Sequence, residues 1–440
     1  MLNSNTRILC ACAALYATLA SVQAQEIAQE TSNAHFQATY IWQEKPAFSA
    51  AYSGVNSLSP AAEKSYSFSA TAAFGWRPWG GGELYFDPEL VQGVPLSGLT
   101  GLGGMSNGEQ QKTGGPNPTL YRARLFLRQT WGLGGDKDAV QSDANQLAGM
   151  VDRRRIVITA GNLALTDIFD GSADAHDARS QFMNWALLAH GAYDFAADAR
   201  GYTIGAAIEY YADDWVLRAG RFMQPEQSNG LALDSHIFRH YGDQIEVEHA
   251  HSIGGQPGKL RVLAFRNRAN MGSFRAALAD APNNGSLPDV ARVRTERAKV
   301  GFGLSAEQNL TAEVGVFARA SWNDGKSETY AFSEIDRSLS VGAVVQGSAW
   351  QRAADAIGAA LASNGLSAAH RAYLAAGGHG AFIGDGQLNY RPEDIVETYY
   401  SFNLASSAWL TLDYQRILNP AYNRDRGPVS VGSIRLHGQY

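Results

Sequence analysis

Residues 119–131, TLYRARLFLRQTW, place three arginines at even spacing inside an otherwise apolar run. Successive side chains of a β-strand point to opposite faces, so the three arginines would share one face. That face would carry Arg122, Arg124, Phe126, Arg128 and Thr130, and the other Tyr121, Ala123, Leu125, Leu127 and Trp131. An arginine facing lipid at mid-membrane costs about 2–4 kcal/mol. The run therefore predicts a strand with one face toward lipid and a cationic face toward a water-filled lumen.

Similar alternation recurs along the chain, for example in residues 35–42, 65–74 and 396–404. No apolar stretch after residue 24 reaches the 18 or more residues that a membrane-spanning helix needs. Short breaks such as residues 212–214 alternate with long connections such as residues 90–118. Short periplasmic turns and long extracellular loops are typical of outer-membrane barrels. The pattern predicts an all-β fold, a transmembrane antiparallel β-barrel.

The first 24 residues are predicted to be a cleaved signal peptide, because Arg7 precedes an apolar segment and Val22-Gln23-Ala24 fits a cleavage site. Both cysteines, Cys10 and Cys12, lie in it, so disulfides and thiolate chemistry are excluded from the mature chain. Cleavage at this site leaves 440 − 24 = 416 residues, 25–440, for one barrel domain. At roughly 25 residues per strand, the chain holds about 16 strands, or 18 if the loops are short.

One segment departs from the alternation. Residues 349–376 are rich in alanine, and we interpret them as two short helices around Asn364-Gly365, a helical insertion in a long loop. The last residues, SIRLHGQY, alternate again and end on Tyr440. An amphipathic final strand that ends in an aromatic residue is similar to the signal read by the outer-membrane assembly machinery.

Several patches resemble the carbohydrate-selective porin family, the OprB type. They are residues 35–54, 81–109, 119–135, 221–230, 239–261 and 373–402. These patches run in order from near the mature N-terminus almost to the C-terminus. The resemblance implies an outer-membrane barrel that admits sugars by diffusion and requires no cofactor. It leaves the identity of the sugar open.

The closing strands provide a second set of inward-facing candidates by parity: Glu397, Tyr399, Trp409, Asp413 and Gln415. Carboxylates and amides match sugar hydroxyls, and an aromatic ring can stack on the C–H face of a pyranose. Ordinary solvated lining is the alternative for these residues. For the arginines, the alternatives are contact with sugar or pairing with the carboxylates of an inward-folded loop, and both can hold at once.

The sequence thus predicts a passive, selective carbohydrate channel in the outer membrane, with no enzymatic activity and no metal site. Its partners would be small carbohydrates and outer-membrane lipid, while homo-oligomer formation stays open. A net charge of −6, or −7 once Arg7 is removed, disfavours nucleic acid as a partner. A general or anion-selective porin is the alternative within the channel class. An exported β-rich carbohydrate-binding protein or hydrolase is the alternative from another class.

Overall fold

The computed structural model describes residues 28–332 and 334–440, so the predicted signal peptide lies outside the described residues. Within these ranges, sixteen antiparallel strands form a closed barrel, which confirms the predicted fold class and the lower of the two strand counts. The strands are Ser32–Lys45 (β1), Glu63–Trp79 (β2), Gly82–Val94 (β3), Thr119–Gly132 (β4), Lys137–Val140 (β5), Gly149–Asp152 (β6), Arg155–Leu163 (β7), Thr203–Ala212 (β8), Trp215–Met223 (β9), Tyr241–Ile253 (β10), Gln256–Gly272 (β11), Arg294–Asn309 (β12), Val314–Asn323 (β13), Arg337–Gln346 (β14), Ala356–Gly365 (β15), Glu393–Ala405 (β16), Ala408–Leu418 (β17) and Val429–Gln439 (β18). Strands β5 and β6 form a separate hairpin outside the barrel wall.

The barrel closes where β1 pairs with β18. Ala38 lies opposite Gly438, and the backbones of Phe36 and Tyr440 exchange two hydrogen bonds of 2.8 Å. The other neighbours in the wall follow chain order. Closure pairs both edges of the sheet that the described residues form, which is the condition for a β-structure to span a bilayer.

The two faces of each strand differ as the alternation predicts. On β18, Ile434 and Leu436 are exposed on the outside, while Ser433 and Arg435, at the alternate positions, are buried inside. The period of two therefore separates a lipid-facing apolar surface from a polar lumen.

The ends of the barrel are unequal. At one end most strands are joined by short turns, such as Asp213-Asp214, and at the other by long loops. Residues 133–154 are an exception at the short-turn end: this mouth segment carries the β5–β6 hairpin, and Asn145 and Leu147 contact the inner wall. Among the described residues, three α-helices lie in long loops: Trp185–Leu188 (α1), Phe274–Asn284 (α2) and Ala368–Ala375 (α3). No helix in the described ranges is long and apolar enough to cross a membrane.

The predicted helical insertion at residues 349–376 is wrong over most of its length. Residues Ala356–Gly365 are barrel strand β15, and only Ala368–Ala375 is an α-helix. The alanines serve the wall instead of a helix. Gly358, Ala360 and Ala362 point inward, where Phe182 of an inward-folded loop lies against them. Small side chains leave room for that loop, and tertiary packing overrides the helix preference of alanine.

A polar and aromatic group, which we call the lid cluster, joins three loops at the long-loop end. Its members are Phe274, Glu334, Asp336, His370 and Tyr373. The His370 ring stacks on Phe274 with centroids 4.1 Å apart, and its nitrogens lie 3.1 Å from Asp336 and 3.4 Å from Glu334. Burial lowers the pKa of His370, but the two carboxylates more than offset this and raise it to about 9. The lid cluster therefore holds a protonated histidine at neutral pH.

Candidate functional site: a channel with a tethered inward loop

The arginines of β4 do not share one face. Asp87 on β3 pairs with Arg124, but the next residue, Pro88, pairs with Arg122, so Ala123 is an extra residue in a β-bulge. Proline has no N–H to donate to the ladder, which is why bulges accommodate it. The bulge turns Arg122 outward, where its Nε donates to Asn162 at 3.2 Å. The prediction that Arg122 faces the lumen is wrong, and Tyr121, predicted outward, donates to the buried Glu89.

Arg124 faces the lumen and holds a loop in place. Its Nε and one terminal nitrogen bind Asp167 at 2.8 and 2.7 Å, and its other terminal nitrogen lies 3.3 Å from Asp87. Burial opposes ionisation of Asp167, but Arg124 and the Ala164 N–H hold the pKa of this carboxyl below its usual value. The bidentate pair therefore fixes the start of the loop to the wall.

Arg128 also faces the lumen, nearer the short-turn end. One of its terminal nitrogens donates to the Asn145 carbonyl at 2.9 Å. The guanidinium lies over the rings of Tyr85 and Phe126, at 5.2 and 5.4 Å from their centroids. Arg128 thus braces the mouth segment, and Asn145 in turn donates to Asp87 at 2.8 Å.

Residues 164–202, between β7 and β8, form the inward loop. Polar groups on several strands of the barrel bind its backbone. Arg319 on β13 donates to the carbonyls of Leu187 (2.8 Å) and Ala175 (2.7 Å), while Glu246 on β10 accepts from the Asp170 N–H at 2.8 Å. Because attachments come from many strands, the loop is held as a fixed crosspiece within the lumen.

Strands β16–β18 provide most of the remaining attachments, and we call their inner face the clamp wall. Glu397 accepts from the N–H groups of Met183 and Asn184, at 2.5 and 3.0 Å. Gln415 accepts from the Asn184 side chain at 3.0 Å. Arg435 donates to the carbonyls of Ala178 and Gln181, at 2.8 and 2.7 Å. These wall residues are fully buried beneath the loop.

The other predicted residues of the closing strands also point inward, with different surroundings. Tyr399 packs edge-on against Phe182 of the inward loop, with centroids 5.0 Å apart. Asp413 is buried and accepts from Ser433 at 3.2 Å. Trp409 lies nearer the short-turn end of the barrel and lines the open cavity. The parity prediction is correct for all five residues of this set, but four of them contact the loop or the wall and only Trp409 reaches the cavity.

A second loop, residues 95–118, also enters the lumen. Arg179 of the inward loop joins it to the wall by binding Glu109 at 2.9 Å and Glu89 at 2.6 Å. Burial raises the pKa of Glu109, but Arg179 and Lys112 outweigh burial and lower it to about 2. The two loops are therefore connected by charges that persist at neutral pH.

A cavity of about 1180 Å³ lies between the loops and the wall and extends to the short-turn end. Across it, five consecutive strands carry alternating charges, which we call the charged row: Glu209 (β8), Arg218 (β9), Glu248 (β10), Arg261 (β11) and Glu307 (β12). Arg218 lies 3.0 Å from Glu209 and 3.1 Å from Glu248. Arg261 lies 2.7 Å from Glu248 and 3.2 Å from Glu307.

The cavity lining is balanced in charge. It includes nine arginines and lysines and nine aspartates and glutamates. The arginines and lysines are Lys112, Arg124, Arg128, Arg155, Arg179, Arg200, Arg218, Lys259 and Arg261, and the aspartates and glutamates are Glu83, Asp87, Glu109, Asp143, Asp167, Asp177, Glu209, Glu248 and Glu307. The aromatic rings of Trp185, Tyr202, Tyr211 and Trp409 also line it. Such a surface offers hydrogen-bond donors, acceptors and apolar faces without a strong net field.

Sequence reasoning missed the charged row, although its signal was present. Each of its members lies at inward parity in an alternating run, for example Arg218 in WVLRAGRFM and Arg261 in KLRVLAF. The same parity argument applied to β8–β12 would have found all five. Among the described residues, no group of three or more His, Cys, Asp or Glu side chains could hold a metal ion.

Comparisons with known proteins agree with this architecture. The model of the carbohydrate-selective porin, OprB family, matches residues 57–440. The chain belongs to the OprB family. Among solved structures, the high-pH form of Pseudomonas putida OprB is similar, with a TM-score of 0.69, 15% identity, and coverage of 93% of this chain and 94% of that one. Its low-pH form has a TM-score of 0.51 at 11% identity, with 93% of each chain covered. No curated protein sequence matches the chain.

Family membership and the closed barrel make this protein an outer-membrane channel for the diffusion of carbohydrates. In outer-membrane barrels the short turns lie on the periplasmic side and the long loops outside the cell. The cavity therefore opens toward the periplasm, and the lid cluster lies on the extracellular side. The family and fold are those of a channel rather than an enzyme.

Proposed function

We propose that sugars cross the barrel passively through the cavity and exchange weak hydrogen bonds with the charged row. The observation that carries this proposal is the alternation of carboxylates and guanidiniums along five neighbouring strands that border the cavity. A sugar hydroxyl both donates and accepts, so it can bind next to either kind of group. Because each charge already has a partner, binding is weak enough for release, as conduction requires.

The balance of nine arginines and lysines with nine aspartates and glutamates favours a neutral solute over an anion. An anion-selective porin would need an excess of cations along the path. The inward loop supports selectivity by size, since its attachments to β4, β10, β13 and the clamp wall keep the passage narrow. We infer that Arg124 and Arg128 have both roles considered for them, as braces of a loop and as donors to the cavity.

Single-channel recording in planar bilayers tests the proposal. Addition of glucose or sucrose is expected to reduce the current in a concentration-dependent way, because a bound sugar excludes ions. Replacement of chloride by gluconate is expected to change the reversal potential only slightly. If neither sugar reduces the current while the anion exchange shifts the potential strongly, the channel is anion-selective and the proposal is wrong.

We further infer that the passage involves no chemical reaction and no cofactor. The charged row consists of carboxylates paired with arginines, and such pairing removes the free acid and base that glycoside hydrolysis needs. Incubation of the purified protein with maltose or sucrose, followed by chromatography of the products, is expected to return the sugar unchanged. Appearance of glucose would favour the hydrolase alternative.

We infer that β18 carries the signal for the assembly machinery. Its outer face carries Ile434 and Leu436, and the sequence ends on the aromatic Tyr440. Deletion of Tyr440 is expected to reduce the amount of folded, heat-modifiable barrel in the outer membrane. An unchanged yield would remove this residue from the signal. Chemical cross-linking in membranes tests whether copies associate.

A further inference from the structure

The outer wall carries charges at a level where its neighbours are apolar. On β9, β10 and β11, Arg221, Asp243 and Arg266 lie side by side in register and face outward. One row below, toward the periplasm, the outward residues on the same strands are Ala219, Ile245 and Ala264. The charged positions therefore interrupt the lipid-facing surface.

The interruption makes this part of the wall thin. On β2, the outward residues from Tyr66 to Trp76 are uncharged, and at a rise of roughly 3.4 Å and a tilt of about 40° they cover about 26 Å of membrane height. On β9, the outward residues are uncharged only from Trp215 up to Arg221, which is about 16 Å by the same conversion. The expected apolar band is about 25 Å tall, so Arg221 and its neighbours lie within the depth of the outer-leaflet lipids.

Two of these charges neutralise each other and the third does not. Arg221 binds Asp243 in a bidentate pair at 2.7 and 2.8 Å and stacks on the Tyr241 ring at 4.0 Å. Within the described part of the chain, the exposed Arg266 side chain makes no hydrogen bond and no ion pair. Above it, Arg268 and Arg239 share one carboxylate, that of Glu296. The patch therefore contains four arginines and two carboxylates, an excess of two positive charges.

An apolar groove of about 540 Å³ begins directly beneath this patch. It is lined by Ala206 and Ala219, by Ile158 and Ile208, which lie side by side on β7 and β8, and by Arg221 and Asp243. The alanines are outward residues on adjacent strands, where larger side chains would fill the depression. The groove meets the Arg221–Asp243 pair, and Arg266 lies beside Asp243 on the next strand. An apolar groove next to an arginine that has no partner among the described residues has the chemistry to hold an acyl chain and an anionic headgroup at the same time.

We propose that this groove binds a phosphate-bearing acyl lipid of the surrounding membrane, with a chain along Ala206 and Ala219 and the phosphate beside Arg266. Charge complementarity favours this occupant over a second copy of the protein. A two-fold contact would bring the cationic patch close to its own copy, whereas a lipid phosphate supplies the missing anion. The bound lipid also fills the thin part of the wall.

Native mass spectrometry of the full chain in detergent tests the proposal, with dioleoylphosphatidylglycerol and the zwitterionic dioleoylphosphatidylcholine as probes. The anionic lipid is expected to bind more tightly than the zwitterionic one. Arg266→Gln should weaken binding of the anionic lipid about fivefold and leave the zwitterionic lipid nearly unchanged. Ala219→Leu, which fills the groove, should weaken both.

Matched controls lie on β14, three strands beyond β11 and away from the groove: Arg337→Gln removes another exposed outward arginine, and Ala343→Leu enlarges another outward alanine. Both should bind lipid as the unmodified chain does. Heat-modifiable gel mobility verifies that each variant is folded. The proposal is overturned if Arg266→Gln binds the anionic lipid normally, if glycerol 3-phosphate competes as well as the intact lipid, or if the patch instead holds a dimer that Arg266→Gln dissociates.

Discussion

The clamp wall and the charged row occupy opposite parts of the same lumen and are built from the same kinds of residues. Glu397 and Arg435 on the clamp wall bind backbone groups of the inward loop. Glu248 and Arg261 in the charged row bind each other and border the open cavity. The two walls differ in the partner of their charged residues. On the clamp wall the partner is the inward loop, and in the charged row it is a residue of the neighbouring strand. An inward charged residue is thus a brace or a lining residue according to what folds onto it.

The largest effect is expected from Glu397→Ala on the clamp wall. The change removes the acceptor from two buried N–H groups, those of Met183 and Asn184, at a cost of about 3 kcal/mol in the free energy of unfolding. The inward loop should then move, and single-channel current should become noisy. Glu397→Gln, which keeps one acceptor oxygen, should lose less. A quiet current of normal size in the alanine variant would mean that the clamp wall does not hold the constriction.

A change of pH should alter the stability that the lid cluster contributes but not the stability that the clamp wall and the charged row contribute. Arginine keeps its charge between pH 6 and 10, but the pKa of His370, about 9 when folded, is above the unfolded value of about 6.5. Its stabilisation is therefore complete below about pH 6.5 and is lost as the pH rises through about 9, on the order of 3 kcal/mol. Urea unfolding of the native chain and of His370→Gln measures this. Equal pH dependence in the two proteins would exclude His370 as the cause.

In the charged row, Arg218→Met should weaken sugar binding about tenfold with little added current noise. It leaves Glu209, Glu246 and Glu248 without this common partner, so the reversal potential in a potassium chloride gradient should shift toward cation selectivity. Arg435→Met on the clamp wall is the matched variant and should show the reverse, noise without a selectivity shift. If both variants behave alike, the distinction between the two walls is wrong.

The smallest effect is expected within β4. Arg124→Ala should weaken sugar block of the current about threefold, because one charged donor to the cavity is lost, and the barrel should stay folded. Arg122→Ala should leave the block unchanged, since Arg122 lies outside the lumen. Titration of the current with sucrose measures both variants. A normal block in Arg124→Ala would remove Arg124 from the sugar path.

The barrel could be predicted from sequence because parity repeats in almost every strand and length limits their number. The direction in which Arg122 points could not be predicted, because one bulged residue inverts the inward and outward positions of the strand beyond it. Pro88, opposite the bulge, was the available warning. The β15 strand was missed because its alanines suit a loop that lies far away in sequence. Which inward residues reach the cavity depends on that same loop, and no local pattern contains this information.

The pairing of β1 with β18 has a consequence for biogenesis. The first strand must wait for the last one, since Gln37 pairs with Gln439. Until that moment a growing sheet has two open edges, each able to template a strand of another chain. Closure is therefore the step that commits the chain to the folded barrel. Aggregation through the open edges competes with folding until closure takes place. A circular permutant that joins the ends of β18 and β1 through a short turn would make this last contact a local one, and should close faster.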